Sequence, residues 1–262
     1  MNYVKIVLFL LLGSFLFANE GKALFAKYCA SCHMPFIPML KLKENFLDYN
    51  NTLLKLKAPT LNQLSYRLKQ RIGDPKGDEE LHRMEVTAFM SDYVYYPSKD
   101  KSVCLEEVLS QFKTMPSLKG KVTEEELEVI GNYLYNFDTE IIKSKGLHFE
   151  GFNDALKRAK KENKLIMIEA MTKTCHFCRK MQQEVMIEPE VIKAIEKDFI
   201  PVAIDVNIHS LPLGLKVEAT PSFIFINMHK HIILNVPGAW GKEDFLDLLK
   251  EAKEKNQHKK KD

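Results

Sequence analysis

The stretch "LIMIEAMTKTCHFCRKMQQ" constrains this chain more than any other part of it. Residues 165–170 read as an apolar strand, and the residues after Cys175 read as a helix to about Glu184. A C-x-x-C pair is therefore expected where a strand hands over to a helix. Free N–H groups at a helix start favour a thiolate. Cys175, nearer that start, is the expected nucleophile, and Cys178 is expected to resolve the mixed disulfide. An inert structural disulfide and a metal site are the other readings of the pair.

The surrounding pattern is α/β. Residues 152–163 read as an amphipathic helix and 190–197 as another. Residues 199–206, 223–226 and 232–236 read as apolar strands, and a last helix runs from Gly241 through Lys253. The predicted order is a helix, then β-α-β, then β-β-α. Glu169 stands on the first strand, six residues before Cys175, where a plain surface carboxylate at the strand end is one reading of it, and Thr220-Pro221 immediately precedes a strand.

Before residue 140 nothing reads as a strand. Residues 20–32 place Leu24, Phe25 and Tyr28 on one helical face that runs into Cys29 and Cys32. Residues 41–100, broken by Pro59, Gly73, Pro75, Gly77 and Pro97, read as short helices joined by loops, and 102–113 as a helix. Thr123-Glu-Glu-Glu126 is a capping-box start. Its helix, expected to about Phe137, carries Leu127, Ile130, Leu134 and Phe137 on one face.

The fold class is thus multidomain, an all-α domain followed by an α/β domain. The expected division is a signal peptide at 1–18, the α domain at 19–140, a linker at 141–147, the α/β domain at 148–255 and a basic tail at 256–262. Lys5, an apolar run to Phe17 and the small Ala18 form the signal. About twelve apolar residues fall short of the roughly 20 that span a bilayer. Export would put the thiols where disulfides persist. The net charge of +3 is too near neutral to argue for nucleic acid.

The first pair is set apart from the second by the residue that follows it. Cys29-Ala-Ser-Cys32 is followed by His33, and C-x-x-C-H is the pattern of a c-type haem site. Two thiols one helical turn apart can add to two vinyl groups, and the adjacent imidazole can reach the iron. A zinc site would need a fourth ligand, and no second pair at finger spacing is near; a plain disulfide is the remaining reading. A methionine sulfur often supplies the sixth iron ligand. Met115, just before Pro116, is the best-placed candidate, with Met84, Met90 and His82 competing. Cys104 reads as a lone buried cysteine, with an intermolecular or regulatory thiol as the alternative, and His209, His229 and His231 as surface or loop residues.

Residues 20–137 resemble a class I cytochrome c domain, on "EGKALFAKYCASCH", "APTL" at 58–61, "MPSL" at 115–118 and the closing helix "EEELEVIGNYLYNF" with Tyr133. The resemblance implies one haem c held covalently by Cys29 and Cys32, with His33 as proximal and Met115 as distal ligand of the haem iron. Residues 146–255 resemble the thioredoxin fold of exported thiol–disulfide oxidoreductases. That resemblance implies catalysis at Cys175 and Cys178. Glu169 would be the buried acid that exchanges a proton with the second cysteine, and Pro221 the cis-proline that faces the dithiol and pairs with substrate backbone.

The two resemblances imply a periplasmic redox protein that drains electrons from dithiols to the haem. Exchange dithiols lie at roughly −270 to −120 mV, and histidine–methionine ligation raises a haem above that window. The alternatives are an electron carrier whose second domain is a docking module, or a helper in cytochrome or disulfide assembly. The implied partners are other exported redox proteins or cysteine-containing exported proteins, with no nucleic acid, and a membrane only if the N-terminal segment stays uncleaved.

Overall fold

The computed structural model describes residues 19–258, so the expected signal peptide and the end of the basic tail lie outside the described residues. The chain divides into two compact units at Glu140–Ile141.

The first unit is helical, and no strand occurs among its described residues. Helix α1 covers residues 19–28. It is followed by α2 (Met39–Lys43), a π-helical turn (Glu44–Asp48), α3 (Leu61–Arg71), α4 (Glu79–Tyr95), α5 (Glu106–Leu109) and α6 (Glu124–Lys145). Side-chain caps fix the helix starts. Thr60 and Gln63 close a capping box on α3, and Asp78 accepts from the Glu80 and Leu81 amides of α4. The box expected on α6 forms, with Thr123 and Glu126 exchanging side-chain to backbone bonds.

α1 and α6 approach closely because Gly21 has no side chain. A Cβ there would lie 2.6 Å from the Tyr133 Cβ and 3.0 Å from the Val129 carbonyl oxygen. One turn on, the buried Phe25 ring meets Tyr133 at 5.9 Å. The Tyr28 hydroxyl then donates to the Glu126 carboxylate at 2.9 Å. Leu127, Ile130, Leu134 and Phe137 are all buried, as their spacing requires.

Three expectations need correction. α6 continues to Lys145, past the expected end near Phe137 and into the expected linker. The apolar stripe breaks at Asp138, but that carboxylate is buried and paired with Lys69 and with the Ser65 hydroxyl, so the helix is not interrupted. Residues 102–113 are mostly loop, with only the short α5 inside. There the Ser102 hydroxyl takes the Cys104 amide that a helix would have used. α4 has 17 residues, longer than the short helices expected between 41 and 100.

The second unit is an α/β layer structure. It comprises α7 (Phe152–Glu162), β1 (Leu165–Met171), α8 (His176–Lys180) running into a π-helical turn (Met181–Val185), and α9 (Pro189–Asp198). Then come β2 (Phe199–Asp205), β3 (Ser222–Ile226), β4 (Ile232–Pro237) and α10 (Lys242–His258). The sheet order is β2-β1-β3-β4. β2 is parallel to β1, whereas β3 is antiparallel to β1 and β4 antiparallel to β3.

β1 is central, and both its faces are covered. Leu165 and Met167 join Phe199, Phe223 and Phe225 against Met181, Val185, Val191, Ile195, Phe245 and Leu248 from the helices. Ile166, Ile168 and Ala170 pack on the other face with Ala155 and Ala159 of α7. Ile166, Met167 and Ile168 are wholly buried, and each such side chain contributes roughly 1.5–3 kcal/mol. Among the described residues, no helix of either unit is long and apolar enough to cross a membrane.

Candidate functional site

The two cysteine pairs give two candidate sites, one in each unit. In the second unit β1 ends at Met171, and Cys175 forms the N-cap of α8. Cys175 and Cys178 form a disulfide with Cα atoms 5.3 Å apart. The Cys178 amide donates to the Cys175 sulfur at 3.0 Å, a bond that favours negative charge on that sulfur when the pair is open. The two sulfurs differ in access: Cys175 is half-buried and Cys178 is sealed. His176 and Phe177, between them, are more open to solvent than Cys178. The outer cysteine can thus meet a substrate, and the inner one can meet only Cys175.

The Thr220–Pro221 bond is cis, and the Thr220 carbonyl oxygen lies 3.4 Å from the Cys175 sulfur. The segment expected to face the dithiol does so. Its backbone carbonyl, rather than a side chain, makes the contact.

Glu169 pairs across the sheet with Ala203 on β2 and Phe223 on β3, so the sheet surrounds it on both sides. It is fully buried, not a surface carboxylate at a strand end. Burial pushes its carboxyl up to about 7, opposed only by a hydrogen bond from Gln182. Its Oε1 has no hydrogen-bond partner, while Oε2 accepts from the Gln182 amide at 3.4 Å. Gln182 lies four residues after Cys178 and therefore shares its side of the helix. Gln182 thus ties the carboxyl to the helical segment that follows Cys178. A carboxyl poised near neutral pH can give or take a proton there.

In the first unit Cys29, Cys32 and His33 follow α1 on a tight turn. The Cys32 and His33 amides both donate to the Cys29 carbonyl, at 3.1 and 3.0 Å. Both cysteines are free thiols, Cys32 exposed and Cys29 half-buried. Burial, with the neighbouring Cys32, pushes the Cys29 thiol up to about 11, so it is protonated at neutral pH. The His33 Nδ1 lies 2.8 Å from the Pro59 carbonyl oxygen. A carbonyl only accepts, so Nδ1 carries the proton and Nε2 keeps its lone pair. Burial lowers the His33 pKa and keeps the ring neutral.

Two free thiols one turn apart beside an imidazole with a committed Nδ1 fit a covalently held haem. Among the described residues no group of three or more His, Cys, Asp or Glu could hold a metal ion. Met115 is half-buried on a non-helical segment. The segment is anchored just beyond it, where the Ser117 hydroxyl donates to the Tyr95 carbonyl at 2.7 Å and the Leu118 amide to the Val94 carbonyl at 3.1 Å.

The competing ligands fare differently. His82 is buried, with one ring nitrogen at 3.0 Å from the Ile72 carbonyl oxygen and the other at 2.9 Å from the Tyr135 hydroxyl. Both nitrogens are occupied, which removes it from the set. Met90 is buried between α4 and α6 beside Gly131, and Met84 is exposed on α4.

Residues 152–253 match the family described as thioredoxin-like domain. That stretch is a thioredoxin-like domain. A protein of Aquifex aeolicus (strain VF5) described as uncharacterized is 26% identical over 119 residues, 45% of this chain and 73% of that one. Among solved structures, a thioredoxin from Thermus thermophilus is 22% identical, with a TM-score of 0.36 over 40% of this chain and 86% of that one. A putative disulphide-isomerase from Bacteroides thetaiotaomicron is 25% identical, with a TM-score of 0.36 over 41% of this chain and 93% of that one.

In the thioredoxin-like domain, sequence reasoning missed Gln182. Its chemistry is unremarked in a helix, and only the Cys178 spacing hints at it. The π-helical turn at Met181–Val185 lies where Gln182 turns toward β1, and such turns recur at functional sites. Gln182 also reaches the Met171 sulfur, at 3.6 Å.

Proposed function

We propose that this chain is an exported redox protein with two centres. The thioredoxin-like domain exchanges thiols and disulfides, and the helical unit is a cytochrome c domain whose Cys29, Cys32, His33 and Met115 hold a c-type haem. The observation that carries the haem reading is the His33 ring, whose Nδ1 is committed to the Pro59 carbonyl beside two unpaired thiols on the same turn. Support also comes from the Gly21, Phe25 and Tyr133 contact of α1 with α6, which joins the ends of the helical unit. When bound, the haem would supply one-electron transfer.

The exchange is derived from the dithiol geometry. The Cys175 thiolate attacks a substrate disulfide, forms a mixed disulfide and releases one substrate thiol. Glu169 takes the proton of Cys178, and the resulting thiolate attacks the Cys175 sulfur. The second substrate thiol leaves and the Cys175–Cys178 disulfide closes. Two electrons pass to the substrate. The cis-Pro221 segment faces Cys175 and would pair with substrate backbone. The substrates proposed are disulfides of exported proteins, and the compartment proposed is the periplasm.

Two measurements test the reading. Protein exported by a host able to attach haem should stain for haem on a denaturing gel and give the pyridine haemochrome spectrum of a c-type haem. The same protein should reduce insulin when supplied with a dithiol donor, and Cys175→Ser should abolish this. A chain of unmodified mass in such a host would refute the cytochrome reading. Insulin reduction retained by Cys175→Ser would refute the exchange reading.

A further inference from the structure

We propose that the Cys175–Cys178 dithiol reduces the Cys29–Cys32 pair of this protein, keeping both thiols open. The purpose assigned to this step rests on the haem reading, whereas the exchange concerns only the four cysteines.

Cys29 and Cys32 are vulnerable to closure. They stand at the spacing that the second pair closes with Cα atoms 5.3 Å apart, on a turn already drawn tight by the Cys32 amide. In an oxidising compartment such a pair can oxidise. Once closed, it has no thiol to add to a vinyl group. The pair also lacks the means to reopen itself. A closed pair has no thiol of its own, and the neighbouring His33, whose Nδ1 is held by the Pro59 carbonyl, supplies no electrons.

The electron count selects the partner. A dithiol gives two electrons, and a haem iron accepts one. A disulfide accepts two. Within this chain the centre that matches the Cys175–Cys178 dithiol is therefore the other cysteine pair. Access agrees with this: Cys32 is exposed and Cys175 is the outer sulfur of its own site.

The step balances. The Cys175 thiolate attacks the Cys32 sulfur, the Cys29–Cys32 bond breaks and Cys29 takes up a proton. Cys178, having lost its proton to Glu169, attacks Cys175 and releases Cys32 as a thiol. The Cys175–Cys178 disulfide that remains is reopened by a dithiol of another exported protein. One copy of the chain can do this for another, so the chemistry does not depend on how the two units of one copy are disposed.

The test uses full-length chains. One variant, Cys175→Ser/Cys178→Ser, is prepared without haem and with Cys29–Cys32 oxidised. It is mixed with a reduced Cys29→Ser/Cys32→Ser/Cys178→Ser variant, in which a mixed disulfide cannot resolve. A covalent pair joined through Cys175 and Cys32, located by peptide mass spectrometry and dissolved by dithiothreitol, is expected. An activated thiolate should form it roughly tenfold faster than an ordinary cysteine does at neutral pH. Repeating the reaction with Cys178 restored should leave Cys29 and Cys32 reduced. A Cys29–Cys32 disulfide that persists while the same reduced protein reduces insulin overturns the inference without touching the exchange reading; failure on insulin as well overturns both. In an exporting host that attaches haem, Cys175→Ser/Cys178→Ser should accumulate haem-free chain with Cys29–Cys32 oxidised, and dithiothreitol in the medium should restore loading. Full loading of that variant without added dithiol also overturns the proposal.

Discussion

Replacing Glu169 by glutamine removes one charge from the centre of a sheet, and the size of the effect can be worked out. The carboxyl is fully buried, and burial raises it from an ordinary 4.5 to about 7. Between those values the folded domain binds more protons than the unfolded chain, so stability falls as pH rises through that window. At about 1.36 kcal/mol per pH unit, the loss totals about 3 kcal/mol by pH 8. The glutamine side chain would not titrate, and its amide would leave donors imperfectly paired at a cost of about 1–3 kcal/mol at every pH. The Glu169→Gln variant should therefore be the less stable protein at pH 4.5 and draw level or ahead at pH 8. The assay is urea unfolding of the oxidised protein followed by Trp240 emission. Trp240 is the only tryptophan in the chain and packs against the core of the thioredoxin-like domain, so it reports that domain alone. A stability difference between the two proteins that stays constant from pH 4.5 to 8 would refute the argument, because it would mean that Glu169 is charged throughout.

Other perturbations test the same structure. Gln182→Leu removes the bond that opposes the burial effect on Glu169, so the pH profile of insulin reduction should move upward, and Gln182→Asn should restore part of the shift. Gly21→Val forces side-chain atoms into Tyr133 and the Val129 carbonyl, and should destabilise the helical unit by about 1–3 kcal/mol in thermal melts followed by circular dichroism. Lys69→Met leaves Asp138 buried without its cation and should cost about 3–5 kcal/mol, whereas Lys69→Met/Asp138→Leu should recover most of that loss.

Much of the architecture is legible in the sequence because it is local. Alternation and apolar runs place all four strands of the second unit, and Thr123 with Glu126 marks the start of α6. The two cysteine pairs differ in their C-terminal neighbours, an imidazole in one case and the body of a helix in the other. That distinction needs only adjacent residues. Sequence and structure part where pairing between side chain and backbone, or between distant segments, overrides the local pattern. Asp138 reads as the end of an apolar stripe, yet Lys69 and Ser65 meet it from α3 and the helix runs on. Residues 102–113 read as helical, yet Ser102 captures a backbone amide.

Sequence alone therefore determined which residues could do chemistry: the thiols, the imidazole, the acid on the strand and the proline before another. Tertiary structure decided the state each one is in. Only the sheet on both sides of Glu169 raises its carboxyl toward neutrality, and only the Pro59 carbonyl assigns the proton of His33. Only the packing around Cys178 makes it the inner sulfur. Residue type and spacing are properties of the chain itself, whereas desolvation and hydrogen-bond partners come from segments distant in sequence that folding brings together.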